Sequence, residues 1–165
     1  MPNNPTDRIV GIDPGYDRLG IAVIERTRQT KKERLLYSDC IQTSPKEDIY
    51  TRLLTIGRAV AAILDEYQPA SLALETLFIT KNQKTAMRVA EARGIIIYEA
   101  IRRQVPVFEY GPMEIKLAIT GDGSSDKLRV AKMIHLLIDN PPQKALDDEY
   151  DAVAVALTQS ARHRL

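Results

Sequence analysis

The sequence predicts an α/β fold in which a mixed sheet of five strands carries helices on both faces. Three short apolar runs come first, joined by connections short enough for a meander. Later apolar runs alternate with segments of helical periodicity, an order that requires parallel pairing through crossovers. Because 165 residues fit one domain, we expect a single domain over residues 1–165, with residues 1–7 as a flexible N-terminal extension.

The five predicted strands are short apolar runs bounded by turn-forming or polar residues. They cover residues 8–12, 19–24, 35–41, 71–74 and 105–109. The first strand ends at Asp13-Pro14-Gly15, which is a typical turn sequence. The polar stretch 25–34 is typical of a hairpin tip, so we expect the first three strands to pair in order.

The predicted helices have apolar residues every three or four positions. They cover residues 49–67, 85–103, 113–119, 125–138 and 148–163. Pro69 ends the first of them, and Gly121 and Gly123 break the chain before the fourth. The last helix is apolar all round from Ala152 to Leu157, so we expect it to be buried.

The composition excludes several classes of protein. No apolar run approaches the roughly 20 residues of a membrane span, and residues 1–7 lack the apolar core of a signal peptide. The single cysteine, Cys40, cannot form an internal disulfide and suits a reducing compartment, so we expect a cytoplasmic protein. The net charge of +1 does not itself indicate a nucleic-acid partner. Basic and acidic residues are nevertheless segregated along the chain, which can place a basic face beside an acidic pocket.

Two buried strands each lead directly into an acidic residue, Asp13 and Glu75. Ligands bind at the carboxyl ends of parallel strands in an open α/β sheet, so neighbouring strands would bring these acids together. An acid that merely starts a turn is the alternative, and it fits Asp13-Pro14-Gly15 better than Glu75.

A third group of acids opens the last predicted helix, at Asp147, Asp148, Glu149 and Asp151. Asp148 and Asp151 are spaced i, i+3 and share a helix face. One Asp would suffice to cap the helix, whereas several acids packed near the sheet repel one another unless a cation relieves the repulsion.

Convergent carboxylates without a nearby histidine or cysteine pair suit a hard divalent ion, Mg²⁺ or Mn²⁺. Zinc is disfavoured because His135 and His163 lack ligand spacing. Two Mg²⁺ ions about 4 Å apart can activate water and stabilise the leaving oxygen of a phosphodiester. The residues therefore predict metal-dependent phosphodiester hydrolysis.

Basic and aromatic residues offer candidate contacts with a nucleic acid. Lys127 lies at the start of a predicted helix, where free N–H groups also favour an anion, and Lys116 is a similar candidate. Phe78 follows Glu75 closely and could stack on an opened base. The alternatives are exposed lysines and a core phenylalanine.

At these residues the sequence resembles the RuvC family of Holliday-junction resolvases, over about residues 9–159. The matching stretches are Gly11-Ile12-Asp13-Pro14-Gly15 with Gly20, Glu75 with Phe78 and Lys81-Asn82, Ala92-Arg93-Gly94, Tyr110 with Pro112 and Lys116, Gly121 and Gly123 with Lys127 and Val130, and Asp148-x-x-Asp151-Ala152 with Ala154. Their order and spacing together are specific.

The resemblance implies an RNase H-like fold and a symmetric homodimer that nicks two opposed strands of a four-way DNA junction with Mg²⁺. It implies that the metal ligands and catalytic acids are Asp13, Glu75, Asp148 and Asp151, with Lys127 also catalytic, and that the DNA-binding residues are Phe78, Lys81, Asn82, Lys116 and Lys127. The implied partner is a branch-migration helicase complex of the RuvA and RuvB type. The helix at 85–103 is a candidate dimer surface.

One departure from the family pattern concerns the metal site. Glu149 and Tyr150 stand where the family often has two small residues, so Asp147 or Glu149 could compete as a ligand. The alternatives are an actin-like ATPase or sugar kinase, a YqgF-type nuclease acting on RNA, and a junction-binding protein without cleavage. The ATPase and kinase folds need a much longer chain.

Overall fold

The computed structural model describes residues 8–26, 32–76, 83–143 and 145–162. The predicted N-terminal extension at 1–7 lies outside this range. Among the described residues no helix combines the length and apolar character needed to cross a membrane.

Strands and helices follow the predicted order. The strands are β1 (Arg8–Asp13), β2 (Arg18–Arg26), β3 (Glu33–Gln42), β4 (Ser71–Glu75), β5 (Val107–Tyr110) and β6 (Ile138–Asp139), and the helices are α1 (Ile49–Tyr67), α2 (Gln83–Ile101), α3 (Pro112–Thr120), α4 (Lys127–Leu137) and α5 (Asp147–Arg162). The sheet order is β5-β4-β1-β2-β3-β6. β1, β2 and β3 pair antiparallel, and β4 and β5 continue the sheet in parallel from β1.

The prediction of five strands was wrong by one, because the described residues form a sheet of six. β6 is a two-residue strand whose Ile138 and Asp139 pair with Glu33 and Arg34 of β3. Two residues are too few to show the alternation that marks a strand. Ile138 also continues the apolar period of α4, so the pattern assigned it to the helix.

The helices cover both faces of the sheet, as predicted. α1 and α2 pack on one face, where Ile56 and Val60 of α1 and Ile96 of α2 join β-strand residues in one core cluster. α3, α4 and α5 form a second cluster on the opposite face. The fold therefore has three layers with the sheet in the middle.

α5 lies on the sheet with almost no side chain between the two backbones. A Cβ added to Gly11 would lie 2.2 Å from the carbonyl oxygen of Ala152, and one added to Gly20 would lie 1.9 Å from that of Asp148. Residues 152–160 of α5 are buried. The two glycines thus set the first turn of α5 close to the carboxyl end of β1.

Local helix caps fix the end of α3, the helix that contains Lys116, and the start of α4, where Lys127 lies. Gly121 ends α3 in the left-handed conformation with φ 77°, which glycine adopts without steric cost. The Asp126 side chain accepts a hydrogen bond from the Arg129 N–H and caps α4. α4 therefore begins at Lys127, two residues later than predicted, and Lys127 occupies its first turn.

Candidate metal centre

The parallel pairing of β1 with β4 brings the first two predicted acids together. Ile12 lies opposite Leu74, so the next residues, Asp13 and Glu75, end their strands at the same edge of the sheet. This is the arrangement that the sequence predicts from strand order.

The two acids face a cleft of about 320 Å³ between the sheet edge, α3, α4 and α5. Its polar lining consists of Asp13, Glu75, Asp151, Lys116 and Lys127, and its apolar lining of Pro112, Ile115, Val130 and Ala154. Three of the predicted metal ligands, together with Lys116 and Lys127, therefore meet at one place.

Asp13 and Glu75 share a hydrogen bond between their carboxyl groups. Burial is the largest cause that raises the pKa of Asp13, from 3.8 to about 8, and the charges of Glu75, Asp151 and Asp148 raise it further. Burial and Asp151 raise the pKa of Glu75 as well. Without a cation, burial and the neighbouring carboxylates therefore favour one proton held between Asp13 and Glu75.

Lys127 provides the positive charge on the other side of the cleft. Its Nζ lies 3.4 Å from Asp151 Oδ2 and 3.8 Å from Asp147 Oδ2. Asp151 raises the pKa of Lys127, and Lys127 in turn opposes the rise that burial causes in the pKa of Asp151. Lys127 thus acts as the internal counter-ion of the acids on α5.

Asp148 belongs to the same group of charges, but its carboxylate is turned towards β2 and β3. Its Oδ2 lies 3.7 Å from Cys40 Sγ and 3.8 Å from a guanidinium nitrogen of Arg18. It does not line the cleft, although its charge contributes to the raised pKa of Asp13. The carboxylates of Asp148 and Asp151 therefore point in different directions, although the i, i+3 spacing places both residues on one helix face.

Glu149 and Asp147, the two other acids of this turn, differ in how firmly their side chains are held. Glu149 accepts a hydrogen bond of 2.8 Å from the Ser38 hydroxyl and another from the Leu146 N–H. The Asp147 side chain is 81% exposed and has Lys127 as its ion-pair partner. Glu149 is thus held away from the cleft, whereas Asp147 lies at its rim.

The family model described as crossover junction endodeoxyribonuclease RuvC matches residues 9–159. RuvC of Pseudarthrobacter chlorophenolicus is 41% identical over 95% of this chain and 81% of that protein. RuvC of Moorella thermoacetica is 40% identical over 93% and 90%, respectively. Thermus thermophilus RuvC in complex with a Holliday junction substrate aligns with a TM-score of 0.87 at 33% identity, covering 95% of this chain and 94% of that one.

The chain belongs to the RuvC family. It is therefore a crossover junction endodeoxyribonuclease, a metal-dependent enzyme that hydrolyses phosphodiester bonds. The resemblance and the RNase H-like fold class are confirmed, apart from the sixth strand. The yeast mitochondrial Holliday junction resolvase, at 13% identity and a TM-score of 0.68, shares the fold. The family match decides against the ATPase, sugar-kinase and YqgF-type alternatives.

RuvC enzymes need a metal ion, and the donors of the cleft suit one. Asp13, Glu75 and Asp151 offer only carboxylate oxygens, which Mg²⁺ prefers. Among the described residues, however, no three Asp, Glu, His or Cys side chains are already arranged as a ligand set. The hydrogen bond between Asp13 and Glu75 and the ion pair of Lys127 with Asp151 explain this, because each satisfies a carboxylate that a cation would otherwise hold. The chemistry of the cleft, with three carboxylates in its lining, nevertheless suits a hard divalent cation.

Sequence reasoning missed three residues that contact the candidate ligands. Arg18 and Cys40 lie beside the Asp148 carboxylate, and Arg93 donates a hydrogen bond to the Glu75 backbone carbonyl. Arg93 stood in a matching stretch of the family resemblance, but nothing in the local sequence indicated its partner. The predicted DNA-binding residues Phe78, Lys81 and Asn82 lie outside the described residues.

Proposed function

We propose that this RuvC protein resolves four-way DNA junctions by paired, symmetric nicks, and that Asp13, Glu75, Asp148 and Asp151 hold Mg²⁺ in each active site. The observation that carries the proposal is the convergence of Asp13, Glu75 and Asp151 with two lysines in one cleft. The structure of the Thermus thermophilus relative is a complex with a Holliday junction substrate, which supports the same substrate here.

Two Mg²⁺ ions, with Mn²⁺ as a substitute, would activate water and stabilise the leaving oxygen of the phosphodiester. The chain's own residues prepare the cleft for this chemistry. As ligands, Asp13 and Glu75 would release their shared proton to solvent, and Asp148 would turn from Arg18 towards Asp13. Lys127 then exchanges Asp151 for the DNA phosphate, and Lys116 binds the same or an adjacent phosphate from α3.

The remaining DNA contacts follow from the family resemblance. We propose that Phe78 stacks on a base of the opened junction, while Lys81 and Asn82 bind the DNA beside it. Glu75 precedes this segment on the same chain, so the DNA would be held next to the metal ligands.

Paired nicks require two active sites, so we propose a homodimer that associates through α1 and α2. Large apolar side chains are exposed on this face, including Tyr50 and Leu54 of α1 and Tyr98 of α2. These three side chains line a groove between α1 and α2, and the groove has a volume of about 410 Å³. A contiguous exposed apolar surface of this kind marks a protein interface. We also propose a branch-migration helicase complex of the RuvA and RuvB type as a partner. The proposed location of the protein is the cytoplasm.

The proposal is tested by Mg²⁺-dependent cleavage of a synthetic four-way junction. The wild type should give paired nicks, and Asp148→Asn should abolish them while junction binding is retained, since it removes a metal ligand and not a phosphate contact. Asp147→Asn is the matched control, because it removes the preceding, exposed acid of the same helix turn and should retain most of the activity. Tight binding by the wild type without cleavage in Mg²⁺ or Mn²⁺ would contradict the proposal and favour the binding protein without cleavage.

A further inference from the structure

Arg93 connects three elements behind the metal centre without lining the cleft itself. From α2, its Nη1 donates a hydrogen bond to the backbone carbonyl of Glu75 at the end of β4. Its Nη2 lies 2.7 Å from Glu109 Oε1 on β5. The Arg93 side chain is only 12% exposed, so packing holds the guanidinium in this position.

The Glu75 backbone lies at the point where sheet pairing ends. The pairing of β1 with β4 runs no further than Ile12 with Leu74. On β1, Asp13 is followed by Pro14, which has no backbone N–H to donate. On the β5 side, the Thr76 N–H donates to the Tyr110 carbonyl at 2.9 Å. Arg93 therefore supplies a hydrogen-bond donor at the residue where the strand ladder to β1 stops.

The ion pair with Glu109 does not by itself explain a partly buried arginine here. The Glu109 side chain is 44% exposed, and pairs with such an exposed partner contribute little to stability. The hydrogen bond to the Glu75 carbonyl also has a charged donor, and its acceptor is a backbone atom at the end of β4. The main effect of Arg93 is therefore on the path of the backbone that carries the Glu75 carboxylate.

We propose that Arg93 is a positioning residue of the metal centre. Its guanidinium fixes the end of β4 so that the Glu75 carboxylate faces Asp13, and Glu109 holds the guanidinium in the correct orientation. This inference rests on the proposed metal-binding role of Glu75. Groups that orient metal ligands without touching the ion typically change metal affinity or activity by about 10- to 100-fold when they are removed.

Arg93→Gln tests the proposal through metal binding as well as cleavage. Calorimetric titration of the DNA-free protein with Mn²⁺ should show an affinity about 10-fold weaker than that of the wild type. The kcat for junction cleavage should fall by about 10- to 100-fold, with KM for the junction unchanged because no DNA contact is lost. Arg88→Gln is the matched control, since Arg88 lies on the same helix and, among the described residues, pairs with the exposed Glu91; it should match the wild type in Mn²⁺ affinity and in kcat.

Two further variants separate positioning from simple stabilisation of the fold. Arg93→Lys keeps one cationic donor for the Glu75 carbonyl and should recover part of the Mn²⁺ affinity, even if Arg93→Gln does not fold. Glu109→Gln keeps an acceptor for Arg93 but removes the ion pair, and should leave Mn²⁺ affinity close to that of the wild type. Urea unfolding of each variant shows whether a loss of affinity exceeds the loss of folded protein.

The results distinguish the failure of this inference from the failure of the proposed function. A wild type that neither binds Mn²⁺ nor cleaves the junction would overturn the proposed function. A wild type that does both, with folded Arg93→Gln or Arg93→Lys equal to it in Mn²⁺ affinity and kcat, would overturn the role of Arg93. Losses that merely follow the unfolded fraction would overturn it as well.

Discussion

Replacing Gly20 by alanine should impair catalysis by displacing α5 from the sheet. Gly20 pairs with Asp13 across β1 and β2, and its Cα faces the backbone of Asp148. An added Cβ would lie 1.9 Å from the Asp148 carbonyl oxygen and 2.6 Å from its carbonyl carbon. Both are backbone atoms, so a side-chain rotation cannot relieve the clash.

The size of the displacement follows from the contact distance. Real Cβ atoms are found no closer than about 3.0 Å to such an atom, so α5 and β2 must separate by at least about 1.1 Å. The shift acts directly on Asp148 and carries Asp151 with it. A misplacement of about 1 Å in an active site can lower the rate about 100-fold, and overpacking costs about 1–3 kcal/mol of stability.

The assay compares kcat for junction cleavage with the free energy of unfolding in urea. Gly20→Ala should lower kcat by about 100-fold in a protein that remains folded. Gly111→Ala is the matched control near the same cleft, because its new Cβ would meet nothing closer than 3.6 Å. Wild-type kcat and Mn²⁺ affinity in Gly20→Ala would refute the close contact, and an equal loss in Gly111→Ala would show that the contact is not the cause.

Three further predictions follow from the charges and surfaces of the site. In the metal-free wild type, the contribution of Asp13 to stability should be fully present below about pH 4 and should fall by up to about 6 kcal/mol as pH rises to 8, because folded Asp13 keeps a proton that the unfolded chain releases. Asp13→Asn should lack this loss in urea unfolding with EDTA and still bind junctions without cleaving them; a flat wild-type curve would contradict the shared proton. Lys127→Gln should lower kcat by about 10- to 1000-fold without weakening Mn²⁺ binding, and weaker Mn²⁺ binding in calorimetry would exclude its role as a displaced counter-ion. Leu54→Glu should give a monomer by light scattering, and an unchanged dimer would place the interface elsewhere.

Much of the site could be predicted because its residues lie where secondary structure ends. Asp13 and Glu75 each follow a buried strand, and strand order alone brings their two strands together. Lys127 was predicted in the first turn of α4, and the cap at Asp126 confirms that position. These inferences needed only local patterns and the rule that parallel strands share an edge.

The remaining features of the site and the sheet depend on contacts between residues that are far apart in the sequence, which local sequence patterns do not encode. The spacing of Asp148 and Asp151 places them on one helix face. Only the Asp148 carboxylate, however, contacts Arg18 of β2 and Cys40 of β3 and is turned away from the cleft. The bond from Arg93 to the Glu75 carbonyl joins a side chain to a backbone oxygen, and no residue type marks such an acceptor. The sequence did not predict β6 because a two-residue strand is defined by its pairing with β3 and not by its own sequence.

The direct seating of α5 on β1 at Gly11 has a consequence for the nascent protein. Asp13 is synthesised well before the acids of α5. A partly synthesised chain that holds the meander and Asp13 lacks the side of the cleft that α5 provides. The convergence of acids on which the proposed metal binding depends is therefore incomplete until α5 has docked on the bare glycine backbone.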